Sequence, residues 1–158
     1  MKLIFLTLVV IFFSACSHAE EEKYTNSECV LNDKACLGSK DDEKYLLIRR
    51  KEYPSISYYN DIEIKELGEE EFQVINTYSD KSPIEIYSNF LLKDNLLILS
   101  SIKTISYPNI PPRGAKEECN IKVNKTFDKP LEYYVDNRIF DLNEQEKKKI
   151  CKIRKNIK

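Results

Sequence analysis

The chain has 158 residues, and its 25 Lys plus Arg nearly balance 26 Asp plus Glu, for a formal net charge of −1. That balance supplies no bulk positive field to hold a nucleic acid, and 42% hydrophobic residues are too many for a disordered chain. The length suffices for one modest core.

Lys2 opens a positively charged start, and the run from Leu3 to Phe13 is apolar and uncharged, as the central region of a secretory signal must be. It is shorter than the roughly 20 apolar residues that span a bilayer. Polar residues follow at once in Ser17-His18-Ala19-Glu20-Glu21-Glu22. Residues 1–15 are therefore expected to be a signal peptide.

The segment Phe13-Ser14-Ala15-Cys16 resembles the lipobox of bacterial lipoproteins, with Phe13 where Leu is usual. The resemblance implies that Cys16 carries lipid and becomes the mature N-terminus. Ser17, rather than Asp, after the cysteine is similar to the outer-membrane class. Two or more chains, at about 0.8 kcal/mol per buried methylene, make such an anchor firm. Ser17-His18-Ala19 offers a rival cleavage site that would discard Cys16 and release a soluble periplasmic or secreted protein.

Cys29, Cys36, Cys119 and Cys151 remain, an even number in an exported chain, which reads as two disulfides. Three pairings are open; Cys29–Cys36 with Cys119–Cys151 is favoured. The spacing lacks the Cys-x2-Cys pair of a zinc site, and no metal or cofactor is expected. Residues 16–42 are polar and turn-rich and read as a lipid-anchored tether carrying a short disulfide loop. Residues 43–158 read as a single β-rich domain with a C-terminal helix.

Strand-like runs follow in order: Lys44 to Glu52, Asp61 to Leu67, Glu71 to Tyr78, then Ile84 to Leu92. Asp94-Asn95 separates the last of these from a run between Leu96 and Tyr107, a hairpin signal. In that run Leu96, Ile98, Ser100, Ile102 and Thr104 would share one face. The prolines at 108, 111 and 112 break any ladder. Cys119 to Phe127 and the short Tyr133-Tyr134-Val135 read as further strands. Asp141 or Asn143 then caps a helix, with Leu142, Ile150, Ile153 and Ile157 on one stripe and Asn143 with Glu146 as a capping box. The expectation is an α+β, β-rich fold: an antiparallel sheet of about five to seven strands, a C-terminal helix and disulfide staples.

The only histidine is His18, beside the cleavage point, and the chain has three glycines. A histidine-based nucleophile relay and a glycine-rich phosphate loop are both excluded. A carboxylate pair for hydrolysis remains conceivable, but no acidic pair stands out, and the protein is expected not to be an enzyme. Asp61, Glu63, Glu66, Glu69, Glu70 and Glu71 form an acidic stretch, either an edge hairpin kept soluble by charge or a surface that steers a basic partner. Tyr58 and Tyr59 beside it are candidate contact residues. The basic tail from Lys147 reads as a solvated helix face or as attraction to anionic lipid.

In size, address and style the chain resembles the periplasmic immunity proteins that bacteria hold against secreted toxins, and envelope inhibitors of lytic enzymes. That resemblance implies a protein partner in the cell envelope, occluded at its active site; the membrane is contacted through the lipid anchor, and no nucleic acid or small-molecule cofactor is expected. A structural or assembly lipoprotein of the outer membrane is the alternative, and a carboxylate hydrolase the next.

Overall fold

The computed structural model describes residues 25–59, 61–79, 82–107 and 115–155. The expected signal peptide, Cys16, His18 and most of the proline-rich loop lie outside them. Among the described residues ten strands form two antiparallel sheets. The first holds β1 (Thr25–Val30), β2 (Ala35–Lys40), β3 (Glu43–Ile48) and β4 (Lys51–Ser55), in chain order. The second holds β5 (Asp61–Glu66), β6 (Glu71–Tyr78), β7 (Ile84–Lys93), β8 (Leu96–Ser106) and β9 (Ala115–Thr126), again in order. A helical segment follows β9. Helix α1 (Leu131–Val135) continues as a π-turn (Asp136–Phe140), and α2 (Glu144–Ile150) leads into β10 (Cys151–Lys155), which pairs with β9. The β-rich class, a short C-terminal helix and both disulfides are as the sequence indicates; the strands are more numerous and lie in two sheets.

Several local readings change. The segment read as a tether is already strand from Thr25, and the disulfide Cys29–Cys36 joins directly opposed residues of β1 and β2. Lys44 to Glu52 is not one strand, because Arg49 and Arg50 form a tight turn with φ of 50° and 68°. Such a two-residue turn matches the strand twist, but it usually takes Asn or Gly. The Arg49 guanidinium donates to the Asn95 side chain in the neighbouring β7–β8 turn, and that hydrogen bond helps hold the arginine pair. Asp94-Asn95 turns as expected, with φ of 48° and 65°.

One core joins both sheets. Leu37, Leu46, Ile48 and Ile56 from the first side meet Phe72, Val74, Ile86, Phe90, Leu97 and Ile102 from the second. The backbone N–H of Leu31, just after β1, donates to Glu66 Oε2 at 2.8 Å, tying the sheets along their adjoining edges. A bulge at Ser100 re-phases β8, so Leu97 and Leu99 point inward before it and Ile102 and Thr104 after it. The simple alternation expected for this strand therefore fails halfway along. The Ser100 hydroxyl donates to the Asn89 carbonyl at 3.0 Å, giving that acceptor a partner within the irregularity.

Tyr133-Tyr134-Val135 is helical rather than extended. Leu131, Tyr134, Val135 and Ile139 are buried at helical spacing, and they close one side of the core. Asn143 caps α2 with the expected box: its side chain accepts from Gln145 and Glu146 N–H at 3.0 Å, and Glu146 accepts from Asn143 N–H at 3.1 Å. The helix stops at Ile150 instead of running on through Ile153. Cys151 lies opposite Cys119 and is bonded to it, so the chain must become a strand along the β9 edge. Ile153 is consequently 71% exposed.

The hairpins give the body two distinct ends. Turns at Leu31–Lys34, Arg49-Arg50, Leu67–Glu70 and Asp94-Asn95 gather at one end, together with the exit of β9. Thr25, where β1 begins, pairs with Ser39 next to the Asp41-Asp42 turn at the other end.

Candidate functional site

The acidic stretch does not form one patch. Asp61 and Glu63 lie on the edge strand β5, exposed, with Lys65 beside Glu63 at 3.0 Å. Glu66 is on the opposite face of the strand and is occupied by the Leu31 N–H. Glu69 and Glu70 sit in the β5–β6 turn, near Lys34 and Arg49. Glu71 begins β6 and is exposed. Alternation along the strand and three neighbouring cations, Lys65, Lys34 and Arg49, thus disperse the negative potential.

Tyr58 and Tyr59 precede β5, at the other end of that strand from Glu69 and Glu70. Both are half-buried and structural in their contacts. Their N–H groups donate to Asn76 Oδ1 at 3.0 and 3.3 Å, and the Tyr58 hydroxyl donates to Asp136 Oδ1 at 2.7 Å. Their rings meet edge to face at 4.8 Å, and Tyr59 packs on Tyr78 at 5.1 Å. Burial and the Asp136 carboxylate push the Tyr58 hydroxyl far above the usual phenol range, and burial raises Tyr59 too. These rings therefore bind the β4–β5 loop to β6 and the π-turn.

At the opposite edge of the six-stranded sheet the charges reverse. Glu118 on β9 is nearly buried among Lys103 at 3.2 Å, Arg154 at 3.7 Å and Lys116 at 3.8 Å. Lys103 above all holds its carboxyl below the usual range, against the opposing effect of burial. A carboxyl with a depressed folded-state pKa adds stability above its unfolded pKa and loses it as pH falls through the folded value. Glu118→Gln is therefore expected to lower the melting temperature at pH 7, with the gap to wild type closing on acidification. A gap that is constant with pH would refute the assignment.

Beside this edge lies the largest cavity described, about 750 Å3, between β9 and the helical segment. Lys125 comes from β9, Lys129 from the connecting loop and Arg138 from the π-turn, all on its lining. Among the described residues none of the three is in an ion pair. Lys129 Nζ stands 4.1 Å from the centroid of Tyr133, which is 46% exposed. Asn137 Nδ2 donates to the Tyr133 carbonyl at 2.8 Å. The acid on the lining, Asp128, is engaged from within, since the Tyr134 hydroxyl donates to it at 2.8 Å. Ile121, Leu142 and Ile150 add apolar surface.

The groove was not legible in the sequence, because its cations are scattered over a strand, a loop and a π-turn. Pro130 followed by Leu131, Tyr134, Val135 and Ile139 at helical spacing was the signal that would have found its wall. Glu117, Cys119 and Cys151 also come within 4.8 Å of one another, but both sulfurs are committed to the disulfide and offer no thiolate to a metal. Comparison of the chain with family models, with curated proteins and with solved structures finds no match.

Proposed function

We propose that the protein is an exported protein-binding module, held at the outer membrane by lipid on Cys16, that neutralises a toxin or lytic enzyme by covering its active site. The observation that carries the reading is the groove beside β9: an open cavity with an exposed aromatic and with cations that have no ion-pair partner among the described residues, suited to contact rather than chemistry. An exposed tyrosine, Tyr133, and a half-buried arginine, Arg138, beside apolar surface are of the residue types that anchor protein interfaces. The two disulfides indicate an oxidising compartment outside the cytoplasm. No helix among the described residues is long and apolar enough to cross a membrane; attachment through Cys16 rests on the lipobox resemblance of Phe13-Ser14-Ala15-Cys16. The chain enters β1 at the end remote from the β9 exit.

Cys16→Ser is expected to move the protein from the membrane fraction to the soluble fraction and to abolish labelling by radioactive palmitate. Equal solubility of mutant and wild type, both beginning at Glu20, would sink the lipid anchor. Crosslinking in intact envelopes is expected to return one stoichiometric protein partner, and its absence would sink the binding role.

A further inference from the structure

We infer that the groove between β9 and the helical segment takes a short segment of the partner that is both acidic and apolar, an inference that rests on the protein-binding role proposed above. Three elements bring Lys125, Lys129 and Arg138 to one cavity. Three cations against the one carboxylate of Asp128, which forms no described ion pair with them, favour an anionic occupant. The lining is not purely charged, however. Tyr133, Leu142 and Ile150 present apolar area beside the cations, which a bare phosphate would leave wet. A peptide alternating carboxylate and aliphatic side chains covers both kinds of surface, and the cavity lies within the roughly 300–1000 Å3 of ordinary ligand sites.

Two further observations fit. The π-turn places Arg138 and Asn137 on the groove, and such turns occur frequently at functional sites. The protein's own acidic hairpin is on β5, at the far edge of the six-stranded sheet, so it does not reach the groove within one molecule.

The test is fluorescence anisotropy on the full mature protein with a labelled, end-blocked peptide of alternating Glu and Leu. Matched peptides carry Gln for Glu, or Ser for Leu. Vesicles of anionic phospholipid serve as a separate probe. The Glu-Leu peptide is expected to bind, to weaken at least tenfold with Lys125→Glu plus Arg138→Glu, and to weaken as salt rises; both matched peptides bind less. Lys129→Ala, at an exposed position, gives a smaller loss in the same direction and keeps the test readable if the double variant fails to fold, as judged by circular dichroism. Unchanged affinity in the variants, equal binding of the Gln peptide, no binding, or a preference for the vesicles would each overturn the inference. Envelope crosslinking separates the two levels. A partner captured equally by wild type and groove variants refutes the groove alone, whereas no partner for either refutes the binding role itself.

Discussion

Phe90→Ala is expected to destabilise the protein by about 3–5 kcal/mol, the usual cost of emptying a buried aromatic site. Phe90 is fully enclosed and stacks on Phe72 with centroids 5.2 Å apart. On its other side it meets Phe127 edge to face at 5.2 Å, and Phe127 in turn stacks on Tyr134 at 5.7 Å. The four rings form a column from β6 through β7 to the wall of the groove. A small domain has a total stability of only about 5–15 kcal/mol, so the variant should unfold at much lower urea. Phe90→Leu, which keeps most of the volume, should lose far less. Urea denaturation monitored by far-UV circular dichroism reads both, and a loss under about 1 kcal/mol for the alanine variant would show that the column does not carry the core.

Cys119→Ser with Cys151→Ser is expected to cost about 2–5 kcal/mol, the range for a native bridge in a small exported domain. The bridge joins residues 32 apart and holds β10, with the whole helical segment, onto β9. Cys29→Ser with Cys36→Ser should cost less, because that bridge spans seven residues inside one hairpin. Closing a loop roughly four times longer is worth about 1.2 kcal/mol more by chain entropy. Thermal melts of the two double mutants should therefore rank in that order. The reverse ranking would mean that β10 is held mainly by other contacts.

Much of the body could be read from period-two alternation, because each strand from β5 to β9 buries one face more deeply than the other. Glu71–Tyr78 emerges with the expected bounds, and the Asp94-Asn95 turn falls where its chemistry puts it. The failures have separate physical causes. Arg49-Arg50 carries no turn signature, since arginine has no intrinsic preference for left-handed backbone. Ser100 inserts a residue, and a bulge is invisible to a rule that counts in twos. Tyr133 and Tyr134 are strand formers by propensity, yet burial of Tyr134 and Val135 with Leu131 and Ile139 makes them helical. Ile153 continues a helical stripe on paper, but the bond between Cys151 and Cys119 commits the chain to the sheet edge. The candidate site was less legible still. The acidic run looked like a patch only in one dimension, and β5 alternation turns Asp61 and Glu63 away from Glu66. The groove cations, by contrast, stand on three different elements and share one lining only once the helical segment packs beside β9.

The order of the strands also bears on how the bridges find their partners. In both sheets every strand pairs with its neighbour in sequence, and β9 and β10 alone are separated by the helical segment, so most native contacts close short loops and should form early. Cys29 and Cys36 face each other within the first such hairpin, before distant cysteines have reason to approach. That leaves Cys119 and Cys151 as the remaining pair, which must wait until the helical segment has returned β10 to the edge of the sheet. Of the three possible pairings among four cysteines, the meander itself thus selects one by timing. During oxidative refolding, trapped intermediates should accumulate the short bridge alone, with little exchange between wrong partners.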